Sequence, residues 1–233
     1  MFKFNLQFTV NVASIVAGSA VGIFAGSGIK EKYRETVIKG LALCVMMLGF
    51  QMALKGQHIL LTIASIVVGS ILGEACSLER HLHDFGLWLG NRFVQKDNGN
   101  SDQFAEGFLY ASLLYCVGAM AIVGSIQDGM SGNPTTLYAK AMLDGLSGII
   151  YAANMGTGVL FSAISVGIYQ GIITILAGLI APYVTPAVIA EISVSGGLMI
   201  IAIGFNMLEL TSIRVGNMVP GLFAAGILAH FLL

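Results

Sequence analysis

Charge is the scarcest commodity in this sequence. Among 233 residues there are 11 Lys and Arg and 12 Asp and Glu, so only 10% are charged. A soluble domain carries about 25%. A water-facing surface cannot be built from so few charges, which excludes a lone soluble globule. The formal net charge of -1 shows no basic excess, so nucleic acid is not an expected partner. The three cysteines, Cys44, Cys76 and Cys116, have no CxxC spacing and no Cys/His cluster beside them. Neither a disulfide framework nor a metal site is expected. No HExxH, Walker A or GxSxG pattern occurs, and the four histidines are scattered. An enzyme is therefore not expected, and no cofactor is implied. A self-contained ATP-driven pump also lacks its motif. Disorder is excluded by the apolar content.

What is abundant is apolar and small. Hydrophobic residues make up 56% of the chain, with 30 glycines and 11 methionines. Glycine is more frequent in membrane helices than in soluble ones. A bilayer core of about 30 Å needs about 20 apolar residues per helix. The sequence holds eight such segments: 9–28, 36–54, 57–75, 104–126, 135–152, 157–180, 186–208 and 216–233. The expectation is an all-α integral membrane protein, one polytopic domain over 1–233 embedded in the lipid bilayer. Lys140 and Asp144 interrupt the fifth segment. The N-terminal MFKFNLQF lacks a basic stretch and a cleavage site, so it reads as the start of the first membrane helix.

Connections are short, with two signals of helix starts. In QDGMSGNP, Asn133 is placed to cap the next helix with Pro134 at its first position, and Thr185-Pro186 repeats the pattern. The most polar stretch is the connector 78–103. Within it Leu78, Leu82, Phe85 and Leu89 share one helical face, with Trp88 beside it. That pattern suits a helix lying among lipid headgroups, or an amphipathic connector packed on the bundle. With eight spans, Lys30, Lys32, Arg34, Arg80, Arg92, Lys96 and Arg214 share one side of the membrane and only Lys3 and Lys55 the other. The basic side is expected in the cytoplasm, with both termini outside.

Gly49-Phe50-Gln51-Met52 reappears as Gly204-Phe205-Asn206-Met207, each at the end of an apolar segment. One segment earlier, Asn11 corresponds to Gln170. Residues 9–75 and 157–233 thus read as two repeat units around a central insert, 104–152. An eight-span chain would invert one unit against the other, the arrangement of many secondary transporters. Chance matching of two glycine-rich halves is the competing explanation.

Polar residues inside a membrane are costly, and so mark function or glue helices together. Asn11 shares a face with Ser14, Gly18 and Gly22. Asp128 lies in the glycine-rich break after the fourth segment, where free carbonyls and a carboxylate suit a small cation; a plain surface turn suits the same residues. Asp144, Ser147, Tyr151 and Asn154 form one stripe, with Lys140 a turn before Asp144. Gln170 lies beside Gly171. Glu191 follows Pro186, where it either sits at the membrane rim or forms a buried proton or sodium site. The candidates for a solute or ion path are Asn11, Gln51, Asp128, Asp144, Asn154, Gln170, Glu191 and Asn206. Glycines spaced by four, as at Gly18, Gly22 and Gly26, permit close packing within the chain or between copies in a homo-oligomer.

Several longer motifs carry a resemblance. GFLYASLLYCVGAMAIVGSIQDGMSG and LYAKAMLDGLSGIIYAANMGTGVLFSA lead, with YQGIITILAG, VIAEISVSGGLMIIAIGFN, IRVGNMVPGL and NVASIVAGSAVG. Together they resemble the YqgA/YdfK-like family of bacterial inner-membrane proteins across essentially the whole chain. The resemblance implies a cytoplasmic-membrane location. The family's function is unknown, its members are at times described as transport proteins, and it supplies no site residues. The expectation from the polar residues is a secondary transporter or facilitator of a small solute or ion. An ion channel and a non-transporting membrane scaffold are the rival readings.

Overall fold

A computed structural model describes residues 7–26, 31–93, 101–117 and 119–233. The described residues are helical, with no strand among them. In chain order the helices are α1 (Phe8–Gly26), α2 (Glu31–Ala53), α3 (Ile59–Ala75), α4 (Leu78–Phe93), α5 (Ser101–Cys116), α6 (Ala119–Ser131), α7 (Thr135–Met155), α8 (Gly158–Ile175), α9 (Ala177–Ile180), α10 (Pro186–Met207) and α11 (Pro220–Leu232). Short 3-10 turns precede α10 and α11. The basic residues Lys3, Lys30 and Lys96 lie outside the described residues.

This is an all-α, multi-pass membrane protein. Phe8–Gly26, Glu35–Ala53, Gly158–Ile175, Pro186–Met207 and Val215–Leu232 are each long and apolar enough to cross a bilayer. Two bent pairs, Ile59–Ala75 with Leu78–Arg92 and Ser101–Cys116 with Met120–Met130, reach that standard together, giving up to seven spans against the eight expected. The difference lies mainly in α7, whose 21 residues are long enough but carry Lys140 and Asp144. The outer faces are apolar: Phe24, Leu60, Phe223 and Phe231 are all largely exposed. Such surfaces are stable in lipid and a liability in water.

Contacts gather the chain into two compact units. The first comprises Met1–Arg34, His81–Cys116 and Met120–Ile180; the second comprises Glu35–Arg80, Val117–Ala119 and Ala181–Leu233. These units cut across the expected repeat boundaries, since each takes helices from both halves.

In the first unit, α1 lies against α7. A Cβ at Gly18, Gly22 or Gly26 would overlap the carbonyl of Gly145, Ile149 or Ala153, respectively. The paired numbers rise together, so the helices run parallel at backbone contact. Small residues four apart make that approach feasible. Helix α8 runs antiparallel to α1, with Gly171 against Phe8 and Gly167 against Val12. Helix α5 packs parallel to α8: Gly158 meets Phe104, and Ser112 bonds Ser165. The amphipathic α4 spans the expected residues and packs on α5. Gly86 lies against Ala105, Phe85 stacks edge-on to Phe108 at 5.8 Å, and Leu89 is buried. Its Trp88 stays exposed.

In the second unit, α3 runs antiparallel to α11, with Gly69 against Gly221 and Gly73 against Asn217. Helix α2 runs antiparallel to α10, with Gly49 against Gly197 and Ile201, and Gly204 against Ala42 and Met46. Thr185 caps α10 as expected, its hydroxyl accepting from the Val188 N–H at 3.2 Å, with Pro186 in the first turn. Another clasp closes the approach to α11. Asn217 accepts from the Glu79 N–H at 2.7 Å and donates to Glu74 at 2.7 Å, and Glu74 also pairs with Arg214.

Two local expectations change. The segment 104–126 is also interrupted between α5 and α6, and the expected break in QDGMSGNP is confined to its last three residues, because Gln127 to Ser131 continue α6. The helix ends where Gly132 takes a positive φ of 64°. Helix α7 then begins at Thr135, one residue later than expected, with Pro134 itself in the capping position. Asn133 still serves the start, accepting from the Thr135 N–H at 3.1 Å.

Candidate functional site

The interior of the first unit holds a polar cluster on α1, α7 and α8. Asn11 lies in the first turn of α1, Asp144 in the middle of α7 and Gln170 near the end of α8. The parallel α1–α7 contact and the antiparallel α1–α8 contact bring them together. Asn11 Nδ2 donates to Asp144 Oδ2 at 3.0 Å and to Gln170 Oε1 at 3.2 Å. Lys140 Nζ, one turn before Asp144, donates to the same Oδ2 at 2.6 Å. Asn11 and Gln170 are fully buried, and Lys140 and Asp144 nearly so, at 5% and 6% exposure. A charge pair in such surroundings persists only when both partners are present and hydrogen-bonded.

The cluster is incompletely satisfied. Asn11 Oδ1 and Gln170 Nε2 are buried without a hydrogen-bond partner. One is an acceptor and the other a donor, on two amides that already touch. Buried polar atoms are normally paired, so two unpaired ones on touching amides are an exception that calls for a functional explanation.

Further polar groups extend the cluster along α1. At one end the Asp128 carboxylate accepts from the backbone N–H of Gln7 at 3.2 Å. At the other, Lys140 lies 5.9 Å from the centroid of the Tyr115 ring, and the Ser147 hydroxyl donates to the Tyr115 oxygen at 3.4 Å. The Ser19 hydroxyl, buried without a partner, faces Gly148 in the same region. From Gln7 to Ser19 the helix rises about 18 Å. The first unit thus contains a polar column within an apolar shell.

Of the residues chosen from sequence, Asn11, Asp144 and Gln170 converge. Asp128 is 1% exposed and lies inside α6, not on a surface turn. Asn154 is buried in the last turn of α7, its amide donating to the Ile150 carbonyl at 2.7 Å. Glu191 is likewise buried at 1% exposure, within the second unit, and receives a hydrogen bond from Thr62 Oγ1 at 3.3 Å. Gln51 is exposed on α2. Asn206 is committed to its own loop: it donates to the Ile213 carbonyl at 2.7 Å and accepts from Thr211 at 2.8 Å and the Ile213 N–H at 2.9 Å. The glycines of the matched GFQM and GFNM motifs pack α2 on α10, while the amides do not enter a buried cluster.

Sequence reasoning did not single out Thr62, Ser19 or Tyr115. For Thr62 a signal existed. Residues 62–73, TIASIVVGSILG, repeat 11–22, NVASIVAGSAVG, with Ala, Ser, Ile, Val, Gly, Ser and Gly in the same places. The repeat puts Thr62 where Asn11 stands, and both bond a buried partner on another helix. Tyr115 had no such signal, because an aromatic in an apolar run looks like core or lipid contact.

Comparison with known proteins supports the membrane assignment. The Bacillus subtilis (strain 168) protein described as "Uncharacterized membrane protein YdfK" is 28% identical over 216 residues, covering 91% of this chain and 90% of its own. The Escherichia coli (strain K12) protein described as "Uncharacterized protein YqgA" is 26% identical over 217 residues, covering 93% and 92%. No solved structure matches the chain. The family described as "Protein of unknown function (DUF554)" matches residues 6–230, and the chain belongs to that family.

Proposed function

We propose that this protein is a secondary transporter or facilitator of a small solute or ion in the bacterial cytoplasmic membrane, and not an enzyme. The observation that carries the reading is the buried Asn11–Gln170 pair, with one acceptor and one donor unpaired beside the Lys140–Asp144 ion pair. Charged groups inside a membrane protein usually mark a solute or proton path. The Lys140–Asp144 pair is formally neutral, so the two free amide atoms suit a polar guest that both donates and accepts.

Helix directions support an inverted architecture. Exchanging Asn11 with Gln170 carries the Val12–Gly167 contact onto Gly171–Phe8. Exchanging Gly49 with Gly204 carries the contacts of Gly49 with Gly197 and Ile201 onto those of Gly204 with Ala42 and Met46. Both pairs of helices are antiparallel, as inversion requires. Within each unit the directions also follow the alternation of an eight-span chain, with α7 as the fifth span. Basic loops would then face the cytoplasm.

The test is uptake into proteoliposomes of a panel of labelled small neutral solutes, amino acids and monovalent ions. Transport by the unaltered protein should be lost in Asn11→Leu and Gln170→Leu, with thermal unfolding in detergent confirming that both variants fold. Folded variants that transport at the original rate would remove the cluster from the mechanism.

A further inference from the structure

We propose that a site at the start of α1, which shares Asn11 with the cluster above, binds a monovalent hard cation such as sodium. The proposal rests on the transport reading above and names its coupling ion.

Four oxygens define the site. Asp128 Oδ1, Gln7 Oε1, Asn11 Oδ1 and Thr174 Oγ1 are each buried without a hydrogen-bond partner. Asp128, Asn11 and Thr174 are at most 5% exposed. Helix register places these four residues around the start of α1. Gln7 and Asn11 are one turn apart on one face of α1, and Gln170 and Thr174 are one turn apart on α8. The two helices are antiparallel and joined at Asn11–Gln170, so Gln7 falls opposite Thr174. Asp128 closes the third side: its Oδ2 accepts from the Gln7 N–H at 3.2 Å, and the neighbouring Gly129 sits against the Thr174 carbonyl.

The donor set decides the ligand. It contains one carboxylate, two amide carbonyls and one hydroxyl, all oxygen, and hard cations prefer oxygen. Asp128 contributes one negative charge. The nearby Lys140 is held by Asp144 and does not balance it. A monovalent cation would neutralise the carboxylate, whereas a divalent one would leave a net charge in an apolar interior. Capping the start of α1 accounts for Oδ2 alone. It leaves Oδ1 and the other three oxygens unexplained.

Binding of radioactive sodium to the full chain in lipid nanodiscs tests this directly, with choline as the inert control cation. Saturable binding is expected in the unaltered protein and in Thr174→Ser, which keeps the hydroxyl. It should vanish in Asp128→Asn and weaken by roughly tenfold or more in Thr174→Val. Absence of saturable sodium binding, or binding that Asp128→Asn and Thr174→Val both leave intact, would overturn the proposal. Should Asp128→Asn fail to fold, the Thr174 pair decides alone. The readout is independent of uptake. Sodium binding without transport of any solute would sink the transporter reading and keep the site, while sodium-independent transport without binding would do the reverse.

Discussion

Helices α1 and α3 are near copies in sequence, yet the two units use them differently. In the first unit Asn11 joins a carboxylate and a second amide, and a lysine completes the group. In the second unit Thr62, at the same place in the repeat, reaches a single carboxylate, Glu191. The glycine stripes diverge too. That of α1 faces a parallel partner, α7, and that of α3 an antiparallel one, α11. A shared helix therefore supplies the capacity for backbone contact, and the residue at position 11 or 62 decides how much polarity gathers there. An amide donates and accepts at once and can bridge two helices; a hydroxyl has less reach.

The largest effect should follow from removing the carboxylate at the centre of the first unit. Asp144→Asn leaves the Lys140 ammonium buried and unpaired, at a cost of about 3–5 kcal/mol. The double variant Lys140→Met with Asp144→Leu should recover most of that stability while abolishing transport. Thermal unfolding in detergent gives the first quantity and proteoliposome uptake the second. A double variant no more stable than Asp144→Asn would mean that the loss comes from the site's shape and not from the stranded charge.

Next in size are the glycine stripes, on which the two units should agree. Gly18→Val and Gly69→Val each force a side chain into the backbone of a neighbouring helix, Gly145 in one case and Gly221 in the other. Each should lose roughly 3 kcal/mol. Gly40→Ala, in α2 with nothing within 4 Å of the added carbon, is the control. It should be neutral or stabilising by up to about 1 kcal/mol. Unfolding temperatures that fall for one stripe only would show that the two helices are not equivalent in packing.

The exchange Asn11→Thr tests the comparison at its root. It gives α1 the residue of α3 and removes the bridge to both Asp144 and Gln170. Because buried groups lose partners, stability should fall by about 1–3 kcal/mol, and uptake should be lost. The reciprocal Thr62→Asn should leave uptake in place. Loss of uptake in the second exchange alone would move the functional centre to the second unit.

Much of the architecture was legible from the sequence because lipid imposes a simple code. Apolar length gave the helices, Thr185-Pro186 gave the start of α10, and the period of the apolar face gave α4. What failed was local. The stretch between Cys116 and Ala119 carries no proline and only one glycine, so the run reads as continuous, while Gly129 in QDGMSG looks like a turn residue although α6 runs through it. The site was half legible. Asn11, Asp144 and Gln170 stand out because amides and carboxylates are rare in apolar runs, but nothing in spacing told them from Gln51 and Asn206. The distinction is tertiary: Asn206 satisfies its own loop, and Gln51 faces outward. Tyr115 was hidden because its ring fits a membrane helix without comment, whereas Thr174 shares a helix face with Gln170 and was legible beside it.

Glu191→Gln should have the smallest effect, and it sharpens the contrast most. Like Asp144, Glu191 is a buried carboxylate bonded to the residue at position 11 or its counterpart 62. Unlike Asp144, it is bonded by a neutral hydroxyl and forms no ion pair among the described residues. An amide at 191 keeps an acceptor for Thr62 and strands no cation, so stability should change by less than about 1 kcal/mol. The same change of carboxylate to amide would then cost several times more in one unit than in the other. If thermal unfolding instead ranks Glu191→Gln as the more damaging, the charge at 191 is itself holding a cation or proton, and the second unit is chemically as active as the first.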